Sequence, residues 1–272
     1  MSVILQISDP HFGTERPPVV AALKRLSQAL HPTMLIVSGD ITQRAKATEF
    51  AAAHHFLDSL AVPSMLVVPG NHDIPLFDLI SRLFAPYRKY RAAFGDDLAP
   101  IVNTRDVLVI GVNTTRRYRH IQGEVSPAQI AAAASHLQHA RPEQLRIVVT
   151  HQPVHVVCDE DREDLLRGHR EAIKAWSAAG ADLILGGHIH RPSFSALHEV
   201  FDDLPQPIWG LQAGTSLSAR IRFDAGNSVN VIRHDDSDLN CVIERWDYVD
   251  DADAFLLHTT HTMQRNMART SN

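Results

Sequence analysis

The segment LILGGHIHRP, residues 183–192, runs from an apolar strand into two glycines and then places His188 and His190 one residue apart. Imidazole side chains do not stabilise the end of a strand. In a strand, side chains two residues apart point to the same face. The pair is therefore consistent with two ligands of one metal ion, with ligands of two ions, or with a solvated loop that contains histidine by chance. The surrounding sequence has to distinguish these readings.

Short apolar runs rich in Val, Ile and Leu recur along the chain and predict buried strands at 3–7, 34–38, 65–69, 107–112, 146–150 and 182–186. Alanine-rich amphipathic stretches lie between them and predict helices at 17–30, 48–60, 75–93, 127–140 and 162–179. This alternation indicates an α/β fold with a largely parallel sheet and crossover helices. After residue 192, strand-like segments follow one another without helices, which predicts a second, more antiparallel sheet packed on the first.

Polar residues follow five of the early strands at the point where each strand ends. The carboxyl ends of parallel strands share one edge of a sheet, and ligand sites form in the crevice outside that edge. We therefore expect the following side chains to converge there: Asp9, His11, Asp40, Asn71, His72, His151, His188 and His190.

Such a set of carboxylates, imidazoles and one amide is the chemistry of a metal site. Without metal, gathering these groups would cost desolvation free energy and give no packing in return. The mixture suits Zn, Mn or Fe, whereas it lacks thiolates and is not a pure oxygen cage for Ca or Mg. These groups are too many for one tetrahedral ion. Two ions about 3.5 to 4 Å apart, bridged by a carboxylate, would use them and would activate a water for in-line attack on phosphorus.

The order of motifs along the chain is more specific than any single motif. DxH (9–11), GD (39–40), GNHD (70–73), a histidine directly after a strand (151) and GHxH (187–190) together resemble the calcineurin-like metallophosphoesterase superfamily. The resemblance implies a four-layer αββα sandwich, in which helices flank two mixed β-sheets. It also implies a dinuclear metal site at the strand C-terminal edge.

The same resemblance implies a role for each site residue. The first metal ion would be held by Asp9, His11, Asp40 and His190, and the second by Asp40, Asn71, His151 and His188. Asp40 would bridge the two ions, so that His188 and His190 divide between them. His72 would be catalytic: it would lie beside the phosphate, where it stabilises charge or protonates the leaving oxygen.

Within the superfamily, LQISDPHF (5–12), VSGDIT (37–42), VPGNHD (68–73) and GEVSPAQI (123–130) are similar to bacterial class III cyclic-nucleotide phosphodiesterases and to glycerophosphodiesterases of similar build. One position departs from the protein phosphatases of the superfamily, which have an aspartate that orients the catalytic histidine where this chain has Gln43. The departure argues against protein phosphatase activity and leaves the orienter of His72 unassigned. We do not expect Asp73 to fill that role, because adjacent side chains in an extended chain point apart.

Composition restricts the partners and the location. The chain has 272 residues, a formal charge of −5 and a pI near 6.4, which makes nucleic acid an unlikely main partner. The sequence MSVILQISDPHF at the N-terminus lacks the features of a signal peptide, and no apolar run is long enough to span a bilayer. We therefore expect a cytoplasmic protein that does not interact with membranes. Cys158 and Cys241 are predicted to be buried apolar residues and not a disulfide framework.

Several features have two readings. His120, in RRYRH (116–120), and Arg191 are either substrate contacts or solvated residues, and the acidic segment 153–170 is either a flap over the site or a plain connection. Segment 83–95 is expected to be an amphipathic helix packed on the sheet, with an interface or an entrance wall as the alternative. We expect one domain over 1–250. Residues 251–272 would form a C-terminal tail that is disordered or docks on a partner subunit of a homo-oligomer.

The sequence therefore predicts a binuclear metal-dependent phosphoesterase. The preferred activity is that of a phosphodiesterase that hydrolyses a small soluble phosphodiester, such as a cyclic nucleotide, through a metal-activated hydroxide. The metal pair would be Fe/Mn, Mn/Mn or Zn-containing. The alternatives are a broad-specificity phosphomonoesterase, a glycerophosphodiesterase, a nuclease and a non-catalytic metal-binding interaction module. The complete ligand set argues against the last, and the net acidity argues against a nuclease.

Overall fold

The computed structural model describes residues 1–222, 225–235 and 238–266, which form two six-stranded sheets. The first sheet contains β1 (Ser2–Ile7), β2 (Met34–Ser38), β3 (Met65–Val68), β10 (Ser228–His234), β11 (Asn240–Val249) and β12 (Ala254–Gln264), in the spatial order 12-11-10-1-2-3. The second contains β4 (Ile101–Asn103), β5 (Val107–Gly111), β6 (Leu145–Val149), β7 (Leu183–Gly186), β8 (Ser193–Ala196) and β9 (Trp209–Gln212), in the order 4-5-6-7-9-8.

Each sheet has a parallel centre and antiparallel edges. In the first sheet, β1, β2 and β3 are parallel, with Leu5 opposite Leu35, and β10 pairs antiparallel with β1. In the second sheet, β5, β6, β7 and β9 are parallel, and β4 and β8 are antiparallel. Every residue of β1, β2, β5, β6 and β7 is buried, as expected for central strands covered on both faces.

Helices cover the outer face of each sheet. The helices are α1 (Pro17–Leu30), α2 (Ala47–Ser59), α3 (Leu79–Phe84), α4 (Arg88–Phe94), α5 (Pro127–Gln138), α6 (His169–Ala178) and α7 (Leu197–Val200). Leu23 of α1 and Phe50 of α2 pack on the first sheet, and Ile130 of α5 and Trp176 of α6 pack on the second. A third apolar cluster lies between the sheets. These layers confirm the αββα sandwich.

The division of strands between the sheets differs from the prediction. We expected the early strands in one sheet and the strands after residue 192 in another, but each sheet combines three early parallel strands with later ones. The reason is pairing between distant parts of the chain: β10 adds to β1, and β9 adds to β7, because these parallel strands would otherwise be unpaired edges.

Two predicted helices are shorter than expected. The helix predicted at 75–93 is two helices, because Pro86 has no N–H and keeps Ala85 (φ −148°, ψ 57°) out of the helical region. The helix predicted at 162–179 is a 3₁₀ turn at Asp159–Asp164 followed by α6, and Gly168, with φ +85°, separates them. The predicted helices at 17–30, 48–60 and 127–140 are confirmed within two residues at each end.

The segment assigned to a tail extends the first sheet. The structure places Ala254–Gln264 in β12, which pairs antiparallel with β11 of the same chain. Phe255 and Met263 are buried, which ties this strand to the cores of the sandwich. The end of the predicted tail, residues 267–272, lies outside the described residues.

Candidate metal centre

The eight predicted site residues lie together at the carboxyl ends of the central strands. They follow β1, β2 and β3 of the first sheet and β6 and β7 of the second, so both sheets contribute. Six of the ligating side chains form two buried or nearly buried groups, in each of which the ligand atoms lie within 4.8 Å of one another: Asp9, His11 and His190 in the first, and Asp40, His151 and His188 in the second. A cavity of about 670 Å³ opens beside them.

In the first group, imidazole nitrogens and carboxylate oxygens point at one another. His190 Nε2 lies 3.3 Å from Asp9 Oδ1 and 3.1 Å from His11 Nε2. The other ring nitrogen of His190, Nδ1, lies 2.6 Å from the backbone oxygen of Arg220 and is placed to donate to it. In the neutral imidazole, the lone pair of Nε2 then points towards the centre of the group.

The second group has the same arrangement. His151 Nε2 lies 3.2 Å from Asp40 Oδ1 and 3.1 Å from Asn71 Oδ1, and His151 Nδ1 is placed to donate to Ser38 O at 2.8 Å. The ring of His188 lies against that of His151, with centroids 5.1 Å apart. His188 and His190 therefore face different groups, as the resemblance implied.

Asp40 lies between the two groups. Its Oδ1 faces His151 Nε2, and its Oδ2 lies 3.7 Å from His11 Nε2. One carboxylate thus presents one oxygen to each group, which is the geometry that a bridging ligand requires.

The donor set fits a pair of metal ions. Neutral imidazoles whose Nδ1 atoms donate to carbonyl oxygens present only lone pairs to the carboxylates and to the amide oxygen of Asn71. Such a convergence of acceptors is unfavourable unless protons or cations lie among them. Hydrogen bonds from Nδ1 to backbone carbonyls are also the usual way in which ligating histidines are held.

The electrostatics of the site show strong coupling between these groups. Burial favours the neutral form of Asp9, but His190 and His151 outweigh it and lower its pKa to about 2. Burial likewise opposes ionisation of Asp40, and His151 keeps the pKa of that carboxyl well below its ordinary value. Burial lowers the pKa of His11 to about 3, whereas Asp40 overcomes burial and raises that of His151 to about 9. Positive charge is therefore favoured among these carboxylates.

Left-handed backbone conformations orient the side chains of the metal-binding residues. Five ligand residues have positive φ values: Asp9 (50°), His11 (43°), Asp40 (49°), His188 (76°) and His190 (55°). Such residues turn the chain sharply at a strand end, and their conformation is costly for non-glycine residues. Close packing of the turns also requires glycine: a Cβ on Gly70 would overlap the backbone nitrogen of Asp40.

His72 faces the cavity, and its orienting group is a backbone carbonyl. His72 Nδ1 lies 3.0 Å from Gln43 O and is placed to donate to it. Its Nε2 lies 3.1 Å from Arg220 Nη1, which also donates to the side-chain oxygen of Gln43 at 3.3 Å. The backbone carbonyl of Gln43 is thus the group that orients His72, which the sequence left unassigned.

Asp73 has a structural role. Its carboxylate accepts hydrogen bonds from the backbone N–H groups of Ile41, Thr42 and Gly70, so it ties the turn after β2 to the turn after β3. Burial, and secondarily the charge of Asp40, raises the pKa of Asp73 to about 7. Asp73 therefore does not orient His72, as expected, although the reason differs: Asn71–Asp73 form a 3₁₀ turn and not an extended chain.

The two predicted substrate contacts have different surroundings. His120 lines the cavity, whereas the guanidinium of Arg191 contacts Glu160 and Asp161. The structure thus gives Arg191 a position in an ion-pair cluster that holds the segment around residue 160. A direct contact of Arg191 with substrate stays a prediction.

Sequence reasoning missed four charged residues that line the cavity, namely Arg44, Asp164, Arg220 and Arg222, and two of them contact site histidines. Arg220 touches His72, and Asp164 Oδ1 lies 3.4 Å from His188 Nε2. Neither follows a predicted strand, so the rule that located the other residues did not reach them. For Asp164, the only signal was the acidic character of 153–170, which had suggested a segment over the site.

Two further observations concern membrane-spanning helices and the cysteines. In the part of the chain that the structure describes, no helix combines the length and the apolar character needed to cross a bilayer. Cys158 and Cys241 are free. Cys241 is buried as predicted, which raises the pKa of its thiol to about 12, whereas Cys158 is only partly buried, contrary to the prediction.

The chain belongs to the calcineurin-like phosphoesterase family, whose sequence model matches residues 2–192. None of the curated proteins compared with this chain matches it. Among solved structures, the chain is similar to a purple acid phosphatase from yellow lupin (Lupinus luteus), with a TM-score of 0.75 and 12% identity over 97% of this chain and 54% of that one. It therefore spans about half of the lupin protein.

Two structures of similar size share the fold over nearly their whole length. A dimetal phosphatase from Danio rerio has a TM-score of 0.66 and 12% identity, over 97% of this chain and 99% of that one. Vps29 from Chaetomium thermophilum has a TM-score of 0.51 and 12% identity, over 97% and 98%. At these identities the likeness concerns the fold alone.

Proposed function

We propose that this protein is a binuclear metal-dependent phosphodiesterase. The observation that carries the proposal is the convergence of the two ligand groups on Asp40, at the wall of a cavity that also contains His72 and Arg220. Membership of the calcineurin-like phosphoesterase family supports hydrolase chemistry at this position.

The site would hold one metal ion in each group, with Asp9, His11 and His190 around one, with Asn71, His151 and His188 around the other, and with Asp40 shared. Bound there, a metal pair would supply the positive charge that activates a water and neutralises the phosphoryl oxygens. The ligand chemistry suits Fe/Mn, Mn/Mn or Zn-containing pairs.

The other side chains of the cavity act on the phosphate and on the leaving group. Arg220, which points at His72, is placed to bind a non-bridging phosphoryl oxygen through charge-assisted hydrogen bonds. Because Nδ1 of His72 is held by Gln43 O, Nε2 faces the cavity, and in the imidazolium form of His72 the proton on Nε2 would pass to the departing alkoxide.

The charges that line the cavity suit an anionic phosphate. The carboxyl group of Asp164 lies beside His188, and the guanidinium groups of Arg44, Arg220 and Arg222 line the same cavity. The choice of a diester follows the resemblance to class III enzymes. The resemblance to class III enzymes adds cyclic nucleotides and glycerophosphodiesters as substrates to be compared.

The test compares two variants that separate metal binding from chemistry. Asp40→Ala should lose metal and hydrolysis of bis(4-nitrophenyl) phosphate together, because the shared carboxylate is gone. His72→Ala should keep its metal content and lose a factor of about 10² to 10⁴ in kcat, the usual range for a general acid. Metal is measured by elemental analysis and activity by release of 4-nitrophenolate.

The outcomes separate the proposal from its rivals. Preference for 4-nitrophenyl phosphate over the diester would make the protein a phosphomonoesterase. A metal-loaded protein that hydrolyses neither substrate would be an interaction module. Unchanged turnover in metal-replete His72→Ala would remove the role given to His72. A panel of 3′,5′-cyclic, 2′,3′-cyclic and glycerophosphodiester substrates then compares the finer assignments.

A cytoplasmic location and a small phosphodiester as the main partner are parts of the same proposal. The location is supported by the sparse cysteines, since only two occur in 272 residues. Fractionation of the native host, followed by immunodetection of the chain, tests it. Recovery with the periplasmic or extracellular fraction would contradict it.

A further inference from the structure

An exposed apolar surface lies beside the cavity. None of the residues of α3 is buried, and the large apolar side chains of this helix and its approach are between 52% and 78% exposed. We call this surface the α3 face; it consists of Phe77, Leu79, Ile80, Leu83 and Phe84. Contiguous exposed apolar side chains of this kind mark binding surfaces in soluble proteins.

Hydrogen bonds attach α3 to the loop that forms one wall of the cavity. Arg82 donates to Arg119 O at 2.6 Å, and Arg117 donates to Leu83 O at 2.6 Å. His120 and Ile121, the next residues of that loop, line the cavity. The α3 face and the cavity wall are therefore parts of one surface.

A second connection runs through the start of the helix. Leu76 lines the cavity, and Phe77 follows it directly. The guanidinium carbon of Arg44, which also lines the cavity, lies 5.5 Å from the centre of the Phe77 ring. A ligand bound at the metal centre can thus extend out of the cavity past Leu76 and Arg44 and reach the α3 face.

The charges around the α3 face favour an anionic occupant. Arg44 and Arg117 are exposed near it, and Arg88 and Lys89 lie close enough to Asp78 to lower the pKa of that carboxyl. Asp78 is engaged by Ser81, and its hydrogen bonds with that residue contribute most to the lowered pKa. Two copies of the chain docked through this face would place like charges together, whereas an anionic amphiphile that extends from the cavity would meet complementary charge at Arg44, between the cavity and Phe77.

We propose that the α3 face receives the hydrocarbon part of an amphiphilic phosphodiester whose phosphate group lies at the metal centre. This inference rests on the proposed phosphodiesterase function and selects a substrate class for it. The volume of the cavity, about 670 Å³, falls within the usual range for small-molecule sites, and an alkyl or acyl chain would continue from it onto α3.

The test uses 4-nitrophenyl alkyl phosphates with methyl, butyl and octyl groups, at concentrations below micelle formation. A methylene fully removed from water contributes roughly a fourfold gain in affinity, so partial contact should raise kcat/KM at least about tenfold from methyl to octyl. Phe77→Ser/Ile80→Ser should reduce this octyl-to-methyl ratio towards one. The control, Leu256→Ser/Leu257→Ser on β12, changes two other exposed apolar residues outside the cavity and should keep the wild-type ratio.

Binding provides a readout that does not depend on turnover. Calorimetric titration of the metal-loaded protein should show tighter binding of octylphosphonate than of methylphosphonate, and the same α3 variant should remove the difference. If no diester is hydrolysed but this difference is present, the proposed activity fails while the apolar site stands. If diesters are hydrolysed with a flat chain-length profile, the apolar site fails while the activity stands.

Two other occupants are outcomes that would overturn the inference. Light scattering that shows a dimer, converted to a monomer by Phe77→Ser/Ile80→Ser, together with a flat chain-length profile, would assign the α3 face to a second copy. Cosedimentation with phosphatidylglycerol vesicles, lost in the same variant and again without chain-length dependence, would assign it to a bilayer surface. Circular dichroism spectra that match the wild type verify that each variant is folded.

Discussion

The two ends of the central strands both bury charge, but they neutralise it in different ways. At the amino-terminal end, the carboxylate of Asp182 accepts hydrogen bonds from the backbone N–H groups of Arg146 (2.9 Å) and Asn266 (2.6 Å). At the carboxyl-terminal end, Asp9 lies 3.3 Å from His190 Nε2 and Asp40 lies 3.2 Å from His151 Nε2. Asp182 and Asp9 are equally inaccessible to solvent, at 1% and 0% exposure.

The difference shows which buried charges belong to the fold and which belong to a ligand. The groups around Asp182 are hydrogen-bond donors and arginines of the chain itself, and they offset its burial only in part, because its pKa is still raised to about 6. The carboxylates at the other end also accept from the chain, as Asp9 does from the backbone N–H of His188, but they face in addition several imidazoles that can share protons or cations with them. Burial alone therefore does not identify a functional site; a buried cluster of facing imidazoles and carboxylates does.

Removal of metal should change the stability of the protein most, and it acts at the carboxyl-terminal end of the strands only. At a free metal concentration 1,000 times Kd, a ligand that binds only the folded state adds about 4 kcal/mol to the free energy of unfolding. Chelation should therefore lower Tm by roughly 10 °C, since 1 kcal/mol corresponds to about 2–4 °C at this size.

Differential scanning calorimetry before chelation, after it and after addition of Mn²⁺ measures the change. Reversal by Mn²⁺ controls for damage during chelation. An identical Tm in all three samples would show that the carboxyl-terminal end is neutralised by the chain itself, as the other end is.

Asp182, at the amino-terminal end of the strands, should make the free energy of unfolding depend on pH. Burial raises the pKa of Asp182 from 3.8 to about 6, so the folded state binds this proton more tightly than the unfolded state does. The stability associated with that proton is fully present below about pH 4 and is lost as pH rises through about 6. Across this window, the wild type should lose roughly 3 kcal/mol more in free energy of unfolding than Asp182→Asn does.

Urea unfolding of the wild type and of Asp182→Asn at half-unit pH steps measures this difference. Groups at the metal centre titrate in both proteins, so they cancel in the comparison. Parallel pH profiles for the two proteins would contradict the assignment to Asp182.

Substitution of Arg220 should lower activity less than loss of a metal ligand does, but more than the exposure of Arg220 would suggest. Arg146, at the other end, donates to the backbone oxygen of Gly180 and is fixed, whereas Arg220 faces the cavity. Arg220→Gln should lower kcat/KM for a diester by about 10- to 100-fold, or about 1.4 to 2.7 kcal/mol, without loss of metal.

Steady-state kinetics and metal analysis check this expectation. Arg233→Gln, which removes an arginine paired with Glu244 in the first sheet, is the matched control. Equal kinetics in the two variants would rule out a phosphate contact by Arg220.

The smallest effect should come from the side chain of Gln43. Because the backbone oxygen of Gln43, and not its side chain, accepts from His72, Gln43→Ala should change kcat by less than about threefold. Gln43→Asp, which adds a carboxylate next to Arg220, is the informative partner variant. A loss in Gln43→Ala as large as that in His72→Ala would mean that the side chain holds the imidazole.

The positions of the metal-binding residues could be predicted because each follows a strand. Asp9, Asp40 and His151 come within two residues of the ends of short apolar runs, and parallel strands bring such positions to one edge. The roles within the site came from the family resemblance, and the observed grouping agrees with the predicted division of His188 and His190.

What the sequence did not predict depends on contacts between distant parts of the chain. Arg220 reaches His72 across 148 residues, and β10 joins β1 through pairs such as Ser2 with His234. No local pattern records such pairings, because strand propensity does not select the partner strand. Pro86 did carry a local signal, and its effect on the helix predicted at 75–93 was readable from the sequence.

The left-handed ligand residues also affect how the sequence can change. Each non-glycine residue in this conformation costs roughly 1–2 kcal/mol, and five of them lie at ligand positions. Substitution by glycine at Asp9 or His188 would relieve that strain while it removes a ligand. The strain of these turns is therefore offset by the contacts that the ligand side chains make, which couples the backbone conformation at the strand ends to occupation of the metal centre.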